Sequence, residues 1–196
     1  FQTDYVHPFG KKGKFETGLR SAFRTIENNY TVEELDADGS WFTLTNFDNH
    51  FIYQENIHAA YVILGNQGKR FSYQGGVRAE YSDIKTELIK TNELNPRDYL
   101  NFFPSAHLSY ELDSTNTLQL SYSRRISRPS FRHLLPFFSF SDPRSFYSGN
   151  PNLDPEYTNS FELGHLKYFD KGSLLSSVYY RYRTGVIERI TTVDSI

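Results

Sequence analysis

Between Ser127 and Pro155 the sequence gathers Arg128, Arg132, His133 and Arg144 among the aromatic residues Phe131, Phe137, Phe138, Phe140, Phe146 and Tyr147. Guanidinium groups set beside ring faces suit an anionic or ring-bearing ligand, such as a ferric chelate or a glycan. Arg128, Arg132, His133, Arg144, Phe131 and Tyr147 are therefore the candidate ligand-binding residues. The same residues also fit a structural role, in which the aromatics pack the segment onto its scaffold and the cations border it. Both readings stand on sequence alone.

Other chemistry finds little support. The stretch GNQGKR, Gly65 to Arg70, lacks the second half of the G-x-x-x-x-G-K-[ST] pattern and sits between two strands where a helix should follow. The six histidines, at 7, 50, 58, 107, 133 and 165, show no close ligand spacing, so no metal site is expected. Asn29 to Thr31 matches a glycosylation acceptor but falls in a strand-like tract, where chance explains it. No G-x-S-x-G elbow occurs, and zero cysteines exclude disulfides, thiolate catalysis and Cys-based zinc sites. No catalytic residue and no cofactor are expected. A net charge of -2 and a pI near 6.3 lack the excess of Lys and Arg that phosphate neutralisation requires, which excludes nucleic acid as a partner.

The elements that must carry the Ser127 to Pro155 segment read as strands. From Phe71, apolar Phe71, Tyr73, Val77, Ala79 and Tyr81 alternate with Ser72, Gln74, Arg78, Glu80 and Ser82. From Thr117, Leu118, Leu120, Tyr122 and Ile126 oppose Gln119, Ser121, Ser123 and Arg125, with Arg124 breaking the pattern. From Glu156, Tyr157, Phe161 and Leu163 oppose Thr158, Ser160, Glu162 and Gly164. Less regular alternation marks 14–34, 51–64, 101–112 and 173–186, giving an all-β antiparallel meander of about seven or eight strands. No convincing helix remains, and 15 Tyr with 17 Phe favour strands and interfaces.

Connections alternate in size along this meander. Compact turns are expected at 65–70, 113–116 and 169–172, and long links at 35–50, 84–99 and 127–155. Successive strands reverse, so the compact turns share one end of the sheet and the long links the other. Short turns at one end, long loops at the other, one apolar face and one polar face describe an outer-membrane barrel. The best apolar run, AAYVILG, is far short of the roughly 18 to 20 residues of a membrane helix. A strand needs only about 9 to 11 residues to cross, and lipid tolerates β structure only as a closed barrel. A soluble β-sandwich that binds carbohydrate or protein is the alternative, since its strands alternate in the same way.

The stretch SYSRRISRPSFRHLLPFFSFSDPRSFYSGNPNLDPEYTNSFELG, Ser121 to Gly164, resembles the barrel of TonB-dependent outer-membrane receptors, in particular the β-barrel family typical of Bacteroidetes. The likeness lies in an ordered set: SYSRR, Arg128-Pro129, Asp142-Pro143, Gly149 to Pro151, Leu153, Pro155-Glu156, and Ser160 with Glu162 to Gly164. The hairpins HPFGKKGKFETGLR and FFPSAHLSYELDSTNTLQLSYSRR are similar to hairpins of the same family. The resemblance implies a transmembrane barrel of about 22 strands in the Gram-negative outer membrane, importing a nutrient of siderophore, cobalamin or glycan class.

That resemblance makes residues 1–196 a partial barrel domain, without plug or remaining strands. Implied partners are outer-membrane lipid, a small-molecule or glycan ligand, and the TonB energy-coupling system acting through a missing N-terminal part. The opening FQTDYVHPFG, with neither Met nor an apolar leader, reads as cut from a longer precursor, and ITTVDSI reads as the start of another loop. In such a barrel Arg78, Glu80, Arg125 and Glu162 are lumen-facing wall residues, with Glu162 hydrogen-bonded or paired to a neighbour such as Arg125, and His58 and His107 are polar lumen positions. Gly149 and Asn150 are expected to supply unusual dihedrals at a sharp turn, while Pro151 and Pro155 stiffen the descent into the next strand.

Overall fold

Each alternating tract becomes a strand, because side chains one residue apart project to opposite faces of a pleated sheet. The computed structural model describes residues 1–142 and 145–193. Its elements in chain order are β1 (Gln2–Phe9), β2 (Gly13–Tyr30), β3 (Glu33–Leu35), β4 (Trp41–Thr43), β5 (Asn49–Gln67), β6 (Phe71–Leu88), β7 (Glu93–Glu111) and β8 (Asn116–Ser127). A single 3-10 turn (Phe131–Leu134), then β9 (Ser139–Asp142), β10 (Ser145–Tyr147), β11 (Glu156–Phe169) and β12 (Gly172–Thr184) complete the described chain.

Eight strands form one antiparallel sheet in the order β1-β2-β5-β6-β7-β8-β11-β12, while β3-β4 and β9-β10 are small separate hairpins. Every neighbour in the large sheet is the next long strand along the chain, so the sheet is a meander. The connections β1 to β2, β5 to β6, β7 to β8 and β11 to β12 are compact and share one end. At that end Asp113 accepts hydrogen bonds from the Thr115 and Asn116 backbone amides at 2.8 and 2.9 Å, which closes the β7–β8 turn.

Register separates two faces. Leu19, Val62, Val77, Phe102, Leu120, Leu163 and Val178 lie on one face of successive strands, and all are exposed. Gln74, Arg78, Glu80, Gln119, Ser121 and Glu162 lie on the other, the face onto which the β8–β11 connection folds, here called the inner face. No second sheet covers the apolar outer face among the described residues, so the sandwich alternative is not what forms. Arg124, the break in the pattern, lies on the outer face with its guanidinium 4.9 Å from the Tyr157 ring, a cation set against an aromatic face.

One expected long link is absent. Residues 84–99 were expected to be largely loop, yet β6 runs to Leu88, β7 begins at Glu93, and only 89–92 connect them. The reason is an inversion of polarity along the strands. Through Tyr81 the outer residues of β6 are apolar, whereas beyond it Asp83, Lys85 and Glu87 point outward and Ile84 and Leu88 point inward. Period two persists while its phase reverses. Inward Phe51, Tyr53, Ile84 and Leu88 meet Leu134, Leu135 and Phe137 of the β8–β11 connection, forming the buried core. β5 and β6, of 19 and 18 residues, thus each have an outwardly apolar length on the compact-turn side and a largely polar outward, apolar inward length on the far side, whereas β7 keeps Leu94 outward and Asn95 and Arg97 inward.

Candidate functional site

The β8–β11 connection is anchored by apolar burial and by hydrogen bonds with three strands and within itself. Leu134, Leu135 and Phe137 are buried on β5 and β6, each contributing about 1.5–3 kcal/mol through apolar burial. Arg97 of β7 donates to the Leu153 carbonyl at 2.8 Å and to Asp154 at 2.5 Å, and the Phe140 amide donates to the Tyr30 hydroxyl at 2.7 Å. The Asn150 amide donates to the His133 carbonyl, and the Gly149 amide to the Leu135 carbonyl, both at 2.7 Å, so the GNP stretch doubles back over the 3-10 turn.

Gly149 is required there for a reason other than the expected one. Its φ is not positive; a Cβ built on it would lie 2.3 Å from the His133 carbonyl oxygen, so only hydrogen fits against that backbone. Asn150 likewise avoids the left-handed region, and its side-chain oxygen accepts the Asn152 amide at 2.9 Å. The motif encodes a close approach of two backbone segments.

Arg128 turns inward. Its guanidinium is ion-paired with Glu80 and donates to the Ser82 hydroxyl at 3.0 Å, and its side chain is 17% exposed. Glu80 also takes Arg78 at 2.5 Å. One strand away, Glu55 accepts from Arg24 at 2.7 Å and from the Tyr53 hydroxyl at 3.0 Å. Glu55, Glu80 and Ser82 are buried, and sharing each carboxylate between several donors offsets the desolvation that burial imposes. Local spacing places Ser82 and Glu80 on one face but does not single out Glu55, nor does it show that residues from three strands converge beneath one loop.

The remaining candidates are spread over the connection's surface and the wall. Arg132 and His133 are exposed, with Arg132 5.9 Å from the Phe131 ring. Tyr147 is half-buried and lies 5.1 Å from the Arg189 guanidinium. Arg144 lies outside the described residues. Arg125 and Glu162 are on the inner face, but no ion pair joins them among the described residues: Glu162 stands between Ser121 and Tyr179 in register, and Arg125 beside Thr158. His107 is on the inner face beside Gln74 and Ser121, whereas His58 is on the outer face. There its Nδ1 lies 2.9 Å from the Ser21 hydroxyl and its ring stacks edge-on with Phe23, because His58 shares the strand phase of Ala60 and Val62.

Space on the inner face is uneven. Beneath the connection, between Ile84, Tyr99, Pro129 and Leu153, only about 20 Å³ remains, room for roughly one water. Over β8, β11 and β12 the inner face instead carries an open groove of about 530 Å³. A model of the outer membrane protein beta-barrel family matches residues 1–195 of this exposed-apolar, inward-polar sheet.

The chain belongs to that family.

This outer-membrane β-barrel sheet is also similar to a solved structure, the siderophore receptor PirA from Pseudomonas aeruginosa, at 14% identity and a TM-score of 0.40. The match covers 91% of this chain and 44% of that one, so the chain spans less than half the receptor's length. No curated protein matches the chain. Family membership accounts for an outer face that would be indefensible in water: in an outer-membrane barrel its solvent is lipid.

Proposed function

We propose that the chain is wall of a TonB-dependent outer-membrane receptor that imports a nutrient of siderophore, cobalamin or glycan class, and that the β8–β11 connection takes part in capturing it. The observation that carries this reading is the connection's posture: it is bound to the inner face at the end of the sheet opposite the compact turns, where a ligand entering from outside would first meet the wall. The receptor resemblance of residues 121–164 and the membership of a barrel family support it. Within the connection the roles divide. Arg128 is a positioning residue, since Glu80 and Ser82 already occupy it, while Phe131, Arg132, His133, Arg144 and Tyr147 are the ligand-capturing group.

The remainder of the wall, the plug and the energy-coupling segment belong to the whole receptor in this reading. Its test is uptake: cells lacking the receptor lose growth on the scarce nutrient, and cells lacking an active TonB system lose it equally. For the loop, Arg132 and Arg144 are replaced singly and together by Gln in the intact receptor, barrel assembly is confirmed, and ligand binding is measured at two salt concentrations. Each replacement is expected to weaken binding by about 1–3 kcal/mol where the Arg makes a charge-assisted hydrogen bond, and by less at high salt. Unchanged affinity in the double variant removes the connection from the binding site but leaves the transporter reading in place; growth without TonB removes the transporter reading.

A further inference from the structure

Inner-face guanidinium groups differ in their carboxylate partners. Under the β8–β11 connection, Arg24, Arg78, Arg97 and Arg128 each meet a carboxylate. On the uncovered half, over β8, β11 and β12, Arg125 has no ion pair among the described residues, Arg181 only stacks on Tyr179 at 5.0 Å, and Arg183 lies 3.7 Å from Glu156. Glu156 itself already accepts the Ile187 amide at 2.7 Å. Among the described residues, guanidinium groups with no carboxylate partner or only a loose one therefore lie together over β8, β11 and β12.

Register arranges these groups in rows across the three strands. Arg125 and Arg183 flank Thr158 in the row nearest the long connections. Adjacent strands are about 4.7–4.9 Å apart, so two guanidinium groups on either side of one hydroxyl residue can close on a single carboxylate. The next row holds Ser123, Ser160 and Arg181, and the one beyond it Ser121, Glu162 and Tyr179. Hydroxyl groups serve as donor or acceptor, Glu162 accepts hydrogen bonds from hydroxyls while repelling a second anion, and the exposed Tyr179 ring, which meets Arg181 at one face, offers ring surface to stack on. A bare inorganic anion would use only the first row. A ligand with one carboxylate, several hydroxyls and a ring face uses all three.

We propose that the β8–β11–β12 inner groove is a subsite for a carboxylated saccharide, its carboxylate held between Arg125 and Arg183 and its hydroxyl-bearing ring lying over Ser160 towards Glu162 and Tyr179. The proposal rests on the receptor reading, whose ligand class it narrows.

Calorimetric titration of the intact receptor in detergent with tri-galacturonate, with the neutral trisaccharide maltotriose and with inorganic phosphate tests it. Tri-galacturonate is expected to bind with an affinity that falls as salt rises, maltotriose at least tenfold more weakly. Arg125→Gln with Arg183→Gln should weaken tri-galacturonate at least tenfold, and Tyr179→Ala should weaken it separately. These side chains are partly or fully exposed, so the variants are expected to keep the wild-type heat-modifiable gel shift, which is checked first; the Tyr179 and Arg variants give independent readings should one fail to assemble. No binding of tri-galacturonate, or binding indifferent to all three substitutions, overturns the subsite. Phosphate binding as tightly as tri-galacturonate makes it an anion site and also overturns the saccharide assignment. The receptor reading is judged apart from either result, by TonB-dependent growth.

Discussion

At the scale of single residues, Glu80 has the most to lose. It is almost wholly buried and shared between Arg78 and Arg128, so its replacement leaves two guanidinium groups facing a site built to neutralise them. Removing one partner of a buried pair typically costs about 3–5 kcal/mol. Glu80→Ala is expected to destabilise the folded protein by that order, with the β8–β11 connection becoming protease-sensitive; thermal unfolding and limited proteolysis check it, and a change below about 1 kcal/mol would mean the connection is held without Glu80, by its apolar contacts and the Arg97 and Tyr30 hydrogen bonds. Asp113 gives a pH dependence at the opposite end. Hydrogen bonds from the Thr115 backbone, the Asn116 side chain and the Thr115 hydroxyl hold its carboxyl down at about 2, below the roughly 3.9 of an unfolded Asp. A depressed folded value stabilises the ionised form, so the contribution is fully present above about pH 4 and is lost as pH falls through about 2. Thermal stability of the wild type and of Asp113→Ala should converge over that window and differ above it; parallel curves down to pH 2 would exclude the turn as the source.

At the scale of elements, β5 and β6 divide at the point where their outward residues change from apolar to polar. On β6 this lies just beyond Tyr81. A charge placed on the outer face of a membrane strand costs about 2–4 kcal/mol at the bilayer midplane and nearly nothing at its border. Val77→Arg, in the middle of the apolar stretch, is expected to cost that much in reversible folding into lipid vesicles, and Thr25→Arg or Gln54→Arg, on the polar extension, under about 1 kcal/mol. Equal costs at the two depths would disprove the boundary. The connection between β8 and β11 is an element in its own right. Gly149→Ala would force a Cβ into the His133 carbonyl, and overpacking of this kind costs about 1–3 kcal/mol. Its expected signature is faster hydrogen exchange at the amides of residues 149 and 150, which donate to the Leu135 and His133 carbonyls, with the sheet amides unchanged.

For the whole molecule, the sheet is open, with β1 and β12 at its edges. Lipid offers no hydrogen bonds to an edge, so in a membrane both edges need partners. In the intact outer-membrane protein we expect amides along Gly172–Thr184 to exchange as slowly as those of β8, whereas the chain expressed alone should expose them or pair them with a second copy. Hydrogen exchange by mass spectrometry on both preparations tests this. Fast exchange of β12 in the intact protein would show that its outer edge is unpaired there.

Period-two alternation in tracts such as 71–82 and 117–126 was enough to define strands, faces and the pairing of neighbours, because the pleat converts spacing into orientation without reference to the rest of the chain. The same local rule places Arg78 with Glu80 on the polar face of their strand, and Arg125 and Glu162 on the polar faces of theirs. It failed where the surroundings changed: beyond Tyr81 the apolar residues belong inside, under a folded connection, and a pattern whose phase depends on what covers each face reads as a loop. The β8–β11 segment showed its charged and aromatic content plainly, yet which Arg is spent on Glu80, why Gly149 must lack a side chain, and which inner-face guanidinium groups line the groove over β8, β11 and β12 were decided only by tertiary structure. Those outcomes depend on contacts between residues such as Arg128 and Glu80 that lie on different strands, and sequence spacing carries no information about which distant partners a fold will bring within hydrogen-bonding distance.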